Sequence, residues 1–226
     1  MRNGFVLLCA ILLSACNSSE PGKFVATTKS LESGSKDQIN TEINRRCTPL
    51  GGGAATVEFS AGVLCPECAA TESGKSIDGT DETYTSLDAP VGAPGAMTLR
   101  ATAQPGVTFP AGSNATLTLS TAGNRTGPVS STGQNWFMIV RTYLAGAVQE
   151  EESDTASLNS TEDSRLIVGI QTTKPFDAIE AVFDRSGINP AQGQILSFNT
   201  SDYMSDGNAR VHEFCGDFDL TGLSEN

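Results

Sequence analysis

The sequence predicts an all-β chain folded as an antiparallel β-sandwich of the jelly-roll kind. Three observations predict it. After Cys47 the chain breaks into short segments rich in Val, Thr, Leu, Phe and Ile, punctuated by Gly, Pro, Asn and Ser, which is the texture of strands and turns. Several of these segments alternate apolar and polar residues, and no long stretch carries the period of an amphipathic helix. About eight strands with turns every eight to twelve residues suit a two-sheet sandwich.

The chain opens with a charged Arg2, an unbroken apolar run from Phe5 to Leu13, and the small residues Ser14 and Ala15 before Cys16. As a helix that run is about 14 Å long against roughly 30 Å of hydrocarbon, too short for a permanent span. Residues 1–15 therefore read as a removable secretory signal peptide. Leu13-Ser14-Ala15-Cys16 resembles the lipobox of bacterial lipoproteins, which implies that Cys16 is acylated and becomes the mature N-terminus. One acyl chain holds a protein to a membrane only marginally, so the anchor implied by the resemblance rests on several. Asn17 stands where an aspartate favours inner-membrane retention in enteric lipoproteins, and the resemblance therefore implies the outer membrane.

From Cys16 to Arg46 the composition is Ser, Thr, Lys, Glu, Gly and Asn with scattered apolar residues, too little to bury against a core, and residues 16–46 are expected to form a flexible tether. Lys36 to Arg46 could form a short polar helix, without a broad apolar stripe to dock. Strands follow. Ala96 to Thr102 puts Met97, Leu99 and Ala101 on one face and Thr98, Arg100 and Thr102 on the other, and Thr116 to Ser120 alternates in the same way. Trp136 to Leu144 is nearly continuously apolar and suits a central strand covered on both sides. Arg165 to Thr173, Ala178 to Arg185, Gln194 to Asn199 and Ala209 to Cys215 complete the set. Residues 47–217 are the expected sandwich, and 218–226 an acidic tail.

The formal net charge is −12, and loss of Arg2 with the signal peptide makes it about −13. Binding nucleic acid or an anionic lipid surface needs lysine and arginine to release counterions, so this balance argues against both. A divalent cation suits it better. With Cys9 removed and Cys16 acylated, Cys47, Cys65, Cys68 and Cys215 remain, an even set that outside the cytoplasm reads as two disulfides with three possible connectivities.

The densest oxygen cluster is Ser76-Ile77-Asp78-Gly79-Thr80-Asp81-Glu82-Thr83-Tyr84. Gly79 allows a backbone conformation that turns carbonyls inward, and Asp78, Asp81 and Thr83 offer hard ligands for calcium. The alternative for the same residues is an Asp-Gly turn with solvated acids. The stretch resembles the Asp-Gly-x-x-x-Thr loop of galactose-binding-like modules, the discoidin or F5/8 type C kind. Those are jelly rolls with a structural calcium beside this loop, and a carboxylate near their C-terminal strand can complete the site. The resemblance implies that Glu213 plays that part here. The loop departs from the family by continuing with Tyr84-Thr85 in place of an arginine and a tryptophan. The same resemblance, with the closeness of sandwich termini, favours Cys47 paired with Cys215 and Cys65 with Cys68.

Cys65-Pro66-Glu67-Cys68 could also be a redox pair or half of a zinc site. Redox catalysis wants a helix N-terminus in a βαβ setting, which this chain does not show, so a structural disulfide is expected. Gln149 to Asp154 reads as a solvated acidic loop rather than a second cation site. His212 is the single histidine and reads as a packed residue; on an alternating strand it shares a face with Phe214, while Glu213 and Cys215 share the other. Aromatic platforms for sugar stacking are few: Trp136 belongs to the most apolar strand, which leaves Tyr84 and Tyr203 as the loop candidates for ligand binding.

Together these residues predict a cell-envelope lipoprotein with a non-enzymatic binding or adhesion domain for carbohydrate or a surface protein. The rival expectations are a structural subunit of an envelope assembly, a jelly-roll hydrolase, and a thiol oxidoreductase using Cys65 and Cys68.

Overall fold

A computed structural model describes residues 23–29, 36–50, 54–63, 65–88, 95–121, 134–158, 165–184, 188–189, 194–195 and 209–221. The signal peptide, Cys16 and Tyr203 lie outside the described residues. Within them the chain forms the α-helix α1 (Lys36–Arg46) and strands in the order β1 (Lys23–Lys29), β2 (Cys47–Pro49), β3 (Thr56–Ala61), β4 (Ala69–Thr71), β5 (Thr85–Asp88), β6 (Ala96–Thr102) and β7 (Asn114–Thr121). After these come β8 (Gln134–Leu144), β9 (Ala147–Leu158), β10 (Arg165–Gln171), β11 (Ala178–Asp184), β12 (Ile188–Asn189), β13 (Gln194–Ile195) and β14 (Ala209–Phe218).

The expected sandwich is present. One sheet runs β1-β10-β7-β14-β5-β4, with β2 also paired to β14, and the other runs β3-β6-β11-β8-β9; every pairing between neighbours is antiparallel. The chain crosses repeatedly between sheets, β5 to β6, β6 to β7, β7 to β8, β9 to β10 and β10 to β11, which is the winding of a jelly roll. Alternation decides which side chains meet between the layers. Met97, Leu99, Met138 and Phe183 from the five-stranded sheet form one cluster with Leu87, Leu117, Leu119 and Phe214 from the other.

The two ends of the sandwich differ. At one end the links are tight: the Gly112 N–H donates to Thr172 O, the Thr172 N–H to Ser113 O, and the Asp177 N–H to Tyr143 O, while Phe109 and Phe176 pair as an isolated bridge. Here β8 also turns into β9 through Ala145 and Gly146, both at positive φ (50° and 81°), the conformation a two-residue hairpin demands. At the opposite end β5, β7, β9 and β11 finish, as their registers show.

Four expectations are corrected. The segment read as tether is not one throughout: β1 pairs with β10 over all seven of its residues, and α1 docks. The helix has no broad stripe, as expected, but Ile43 joins Ile167, Cys215 and Phe218 in a small apolar cluster, and Asn40 is buried beside it for polar reasons given below. The C-terminal tail begins later, because Phe218 is fully buried at the end of β14 and the Arg46 guanidinium donates to the carbonyls of Asp219 and Thr221. The acidic stretch from Gln149 to Asp154 is part of β9 rather than a loop. Two of its carboxylates find donors: Glu151 pairs with Arg141, and Glu150 accepts from the Thr173 and Lys174 N–H groups and the Thr173 hydroxyl. Finally, β8 is covered on both faces, with Met138 and Val140 inward and Ile139 against Val182, but it lies beside the edge strand rather than in the middle of its sheet.

Both disulfides form as expected, Cys47 with Cys215 and Cys65 with Cys68. The first closes a separation of 168 residues and the second of 3. On the chain-entropy model they contribute about 5 and about 2 kcal/mol. Replacing Cys47 and Cys215 by alanine is therefore expected to lower the urea-unfolding free energy more than twice as far as replacing Cys65 and Cys68; equal losses would contradict the long loop's dominance.

Candidate metal and ligand site

β4 leads into Glu72, which adopts a left-handed conformation (φ 55°, ψ 43°) and starts the 3-10 helix Ser73–Ile77. Burial of Ile77 fixes this helix to the core, and the Thr85 hydroxyl, at the start of β5, reaches the Glu72 and Ser73 carbonyls (3.1 and 3.0 Å). The seven residues between are thereby held at both ends. Gly79 takes φ 82°, which a side chain would resist, and its N–H donates to Glu213 Oε2 at 3.1 Å. Asp78 accepts from the Thr80 N–H (3.2 Å) and from the Thr83 hydroxyl (2.7 Å), and Thr83 Oγ1 is also 3.4 Å from the Lys75 carbonyl. The structure thus brings Asp78 and Thr83 of this loop together with Glu213 of β14.

Glu213 is buried, and its Oε1 has no hydrogen-bond partner. Burial pushes its carboxyl up to about 8, against the lowering effect of the Gly79 N–H and with the negative charges of Asp78 and Asp81 adding to the rise. A buried carboxylate with one bare oxygen, beside a second carboxylate, a hydroxyl and a carbonyl, is an oxygen-only donor set of the sort calcium takes. Among the described residues no three His, Cys, Asp or Glu side chains cluster into a metal site, so any ion here would draw on the Thr83 hydroxyl and backbone carbonyls as well.

Asp81 has a different task from the one expected of it. Its carboxylate is fully buried and Oδ2 accepts from Arg165 Nε at 2.7 Å, with Arg165 itself 2 % exposed. Arg165 Nη2 also reaches Asn40 Oδ1 (3.3 Å), and the Asp81 N–H donates to Asn44 Oδ1 (2.7 Å), so α1 is tied to this pair by two asparagines. His212 lies 2.9 Å from the Asp81 carbonyl through Nδ1 and 2.7 Å from Ser120 Oγ through Nε2. A carbonyl only accepts, so Nδ1 carries a proton. Burial, and next the charge of Arg165, hold the pKa down to about 3, so the ring is neutral and Nε2 accepts from the Ser120 hydroxyl. His212 is a packed residue, as expected.

Sequence reasoning put His212 and Glu213 on opposite faces. A β-bulge between Val211 and Glu213, where β14 pairs with β7, breaks the alternation there. Val211 and Phe214 both point into the main core, and His212 and Glu213 both meet the Asp78–Asp81 loop on the outer face. Arg165, Asn40, Asn44 and Ser120 were missed. One signal was available: Arg165 opens an otherwise apolar strand, and a buried cation needs a carboxylate.

Tyr84 is half-buried, with the Arg210 guanidinium 4.4 Å above its ring centroid and the His212 ring 5.5 Å away. Tyr143 is buried, donates to Glu180 and is capped by Arg100. Cys65 and Cys68 are 1 % and 7 % exposed and already joined.

No family model matches the chain, and no curated protein matches its sequence. Among solved structures it is similar to two family 32 carbohydrate-binding modules of Clostridium perfringens ZmpB in complex with GalNAc, at TM-score 0.44 and 11% identity over 87% of this chain and 40% of that one. It is also similar to the family 32 module of C. perfringens NanJ in complex with galactose, at TM-score 0.42 and 12% identity over 75% of this chain and 96% of that one. An arabinose-bound α-L-arabinofuranosidase overlaps at TM-score 0.37 and 11% identity, over 72% of this chain and 23% of that one. At such scores the likeness fixes no family, and the fold rests on its own strand pairing.

The raised pKa of Glu213 has a defined sign. Above the ordinary value the native state holds a proton that the unfolded chain has lost, so this group's contribution is complete below about 4.5 and disappears as pH rises through about 8. Asp81, raised to about 6, has finished changing by about pH 7, and His212, lowered to about 3 from an ordinary value of 6.5, by about pH 7.5. In EGTA, stability is therefore expected to fall between about pH 7.5 and 8.5, and Glu213→Gln to flatten that fall. Parallel urea midpoints for the two proteins across this window would show that Glu213 titrates normally.

Proposed function

We propose that the chain is an envelope lipoprotein, acylated at Cys16, whose sandwich is a non-enzymatic binding or adhesion module stabilised by calcium. The observation that carries this reading is the bare, buried Oε1 of Glu213, whose other oxygen, Oε2, accepts from the Gly79 N–H in the loop that holds Asp78 and Thr83. Asp78, Thr83 and Glu213 would hold the ion, and Asp81 would support the loop through Arg165. Bound calcium would supply the positive charge that lets Glu213 ionise in a dry setting, and so fix the loop beside Tyr84. Tyr84 with Arg210 above its ring is the ligand position on this reading: the ring holds the guanidinium in place, and the guanidinium is a planar donor for a sugar's hydroxyls.

Two measurements test it. At a hundred times the dissociation constant one calcium contributes about 2.7 kcal/mol, a rise in Tm of roughly 5 to 11 °C over EGTA for a domain of this size. The rise is expected in a Cys16→Ser chain starting at residue 16 and should vanish in Asp78→Ala; a Tm indifferent to calcium removes the ion from the reading. Galactosides are the first glycan probes, given the loop's resemblance to galactose-binding-like modules. Tyr84→Ala and Arg210→Ala are each expected to weaken their binding at least tenfold with Tm kept. Unchanged binding moves the site elsewhere, and no glycan binding at all turns the reading towards a protein ligand.

For the anchor, Cys16→Ser should shift the protein from the membrane to the soluble fraction. Full retention of the variant in membranes would dismiss lipidation at this residue.

A further inference from the structure

Leu117 and Leu119 of β7 belong to the main core, so Thr116, Thr118 and Ser120 stand on the outer face of the seven-stranded sheet. All three are buried, at 0, 0 and 1 % exposure. Ser120 has His212 as its partner, whereas Thr116 Oγ1 and Thr118 Oγ1 have none among the described residues. A hydroxyl taken out of water without a partner is costly, and valine would fill the same space without that cost.

The two threonines have different neighbours. Thr116 lies opposite Gly169 on β10 and Cys215 on β14, neither of which offers a side-chain oxygen. Thr118 lies opposite Ile167 on β10, whose side chain clusters with Ile43 of α1, and opposite Glu213 on β14. Glu213 follows the β14 bulge, so its side chain stands on the same outer face as Thr118. Side chains directly opposite one another on neighbouring antiparallel strands have Cβ atoms about 4.5 to 5.5 Å apart. Each of these two brings one buried oxygen without a partner to the gap between β7 and β14, Thr118 Oγ1 and Glu213 Oε1, while Glu213 Oε2 is taken by the Gly79 N–H. The two oxygens do not bond each other. Oxygens that share one calcium ion stand roughly 3 to 4.5 Å apart, which an opposed pair can reach without a hydrogen bond between them.

Resting on the calcium reading above, we propose that Thr118 is a further ligand of that ion. Thr118 Oγ1 and Glu213 Oε1 bind it from the sheet, and Asp78 and Thr83 from the loop. The ion then ties the loop to β7 as well as to β14. Carboxylates and neutral hydroxyls are a hard, oxygen-only set, which suits calcium and not zinc. Thr116, equally buried but without a second oxygen opposite, takes no part.

The test uses the Cys16→Ser chain starting at residue 16, with calcium itself as the probe, in calorimetric titrations and in Tm measurements in EGTA. Thr118→Val keeps the β-branched shape and removes only the oxygen. It is expected to raise the calcium Kd at least tenfold, with a Tm in EGTA at or above that of the parent chain. Thr118→Ser should stay within threefold of the parent Kd, and Thr116→Val should leave it unchanged. An unaltered Kd in Thr118→Val overturns the inference, as does a loss just as large in Thr118→Ser or Thr116→Val. A lower Tm in EGTA for Thr118→Val also overturns it, because the hydroxyl would then serve the ion-free fold. In each of these cases a parent chain that binds calcium, and an Asp78→Ala chain that does not, leave the site itself standing. A parent chain that binds no calcium removes the site and this ligand together.

Discussion

The ion pair between Arg165 and Asp81 is the contact on which the outer face of the seven-stranded sheet depends. Both groups are withdrawn from water, Arg165 at 2 % and Asp81 at 0 % side-chain exposure, and neither would be tolerated there alone. Removal of one partner from such a pair costs about 3 to 5 kcal/mol because the other charge is left buried. The pair also recruits its surroundings. Asn40 and Asn44 bring α1, the Asp81 carbonyl brings His212 and thence Ser120, and the loop that ends in Thr83 is held down beside Glu213. A helix with almost no apolar face is thus docked by polar contacts, with Ile43 as its apolar foothold.

The five-stranded sheet organises charge differently. Glu58 lies opposite Arg100, Arg100 opposite Glu180, Glu180 opposite Arg141, and Arg141 opposite Glu151, so one row of cross-strand neighbours alternates in sign over all five strands. Each neighbour in such a row adds only a few tenths to about 1 kcal/mol, yet a slip of one residue in any strand would send its charge into the core. The row therefore fixes register more than it adds stability. It also explains why an edge strand as acidic as β9 is ordered: Arg141 and the 173–174 backbone supply its counterparts.

Much of the architecture was legible because period-two alternation is a local property. Ala96 to Thr102 reads as a strand and is β6 to the residue; the strands expected at 116–120, 136–144, 165–173, 178–185 and 209–215 each lie within or overlap an observed one. What was not legible depends on partners distant in sequence. β1 has no signature of its own and exists by pairing with β10, some 140 residues away, and β9 reads as a loop until Arg141 is set beside Glu151. The loop Asp78–Thr83 and Glu213 were found through a resemblance, whereas the role of Asp81 turned on Arg165, which nothing near it in sequence announces. One inserted residue at the β14 bulge was enough to bring His212 and Glu213, expected on opposite faces, to the same one.

The Cys47–Cys215 bond has a mechanical consequence. A pull on the chain's N-terminal end along the axis of β1 loads the β1–β10 ladder in shear, with its hydrogen bonds stretched together rather than unzipped one by one. If that ladder and α1 gave way, unravelling would stop at Cys47, which is covalently fastened to β14 in the middle of the sheet. The extended chain between Lys23 and Cys47 spans about 80 Å. The domain is thus built as an extensible leash in front of a covalently closed body, able to lengthen under load while the disulfide holds Cys47 on β14.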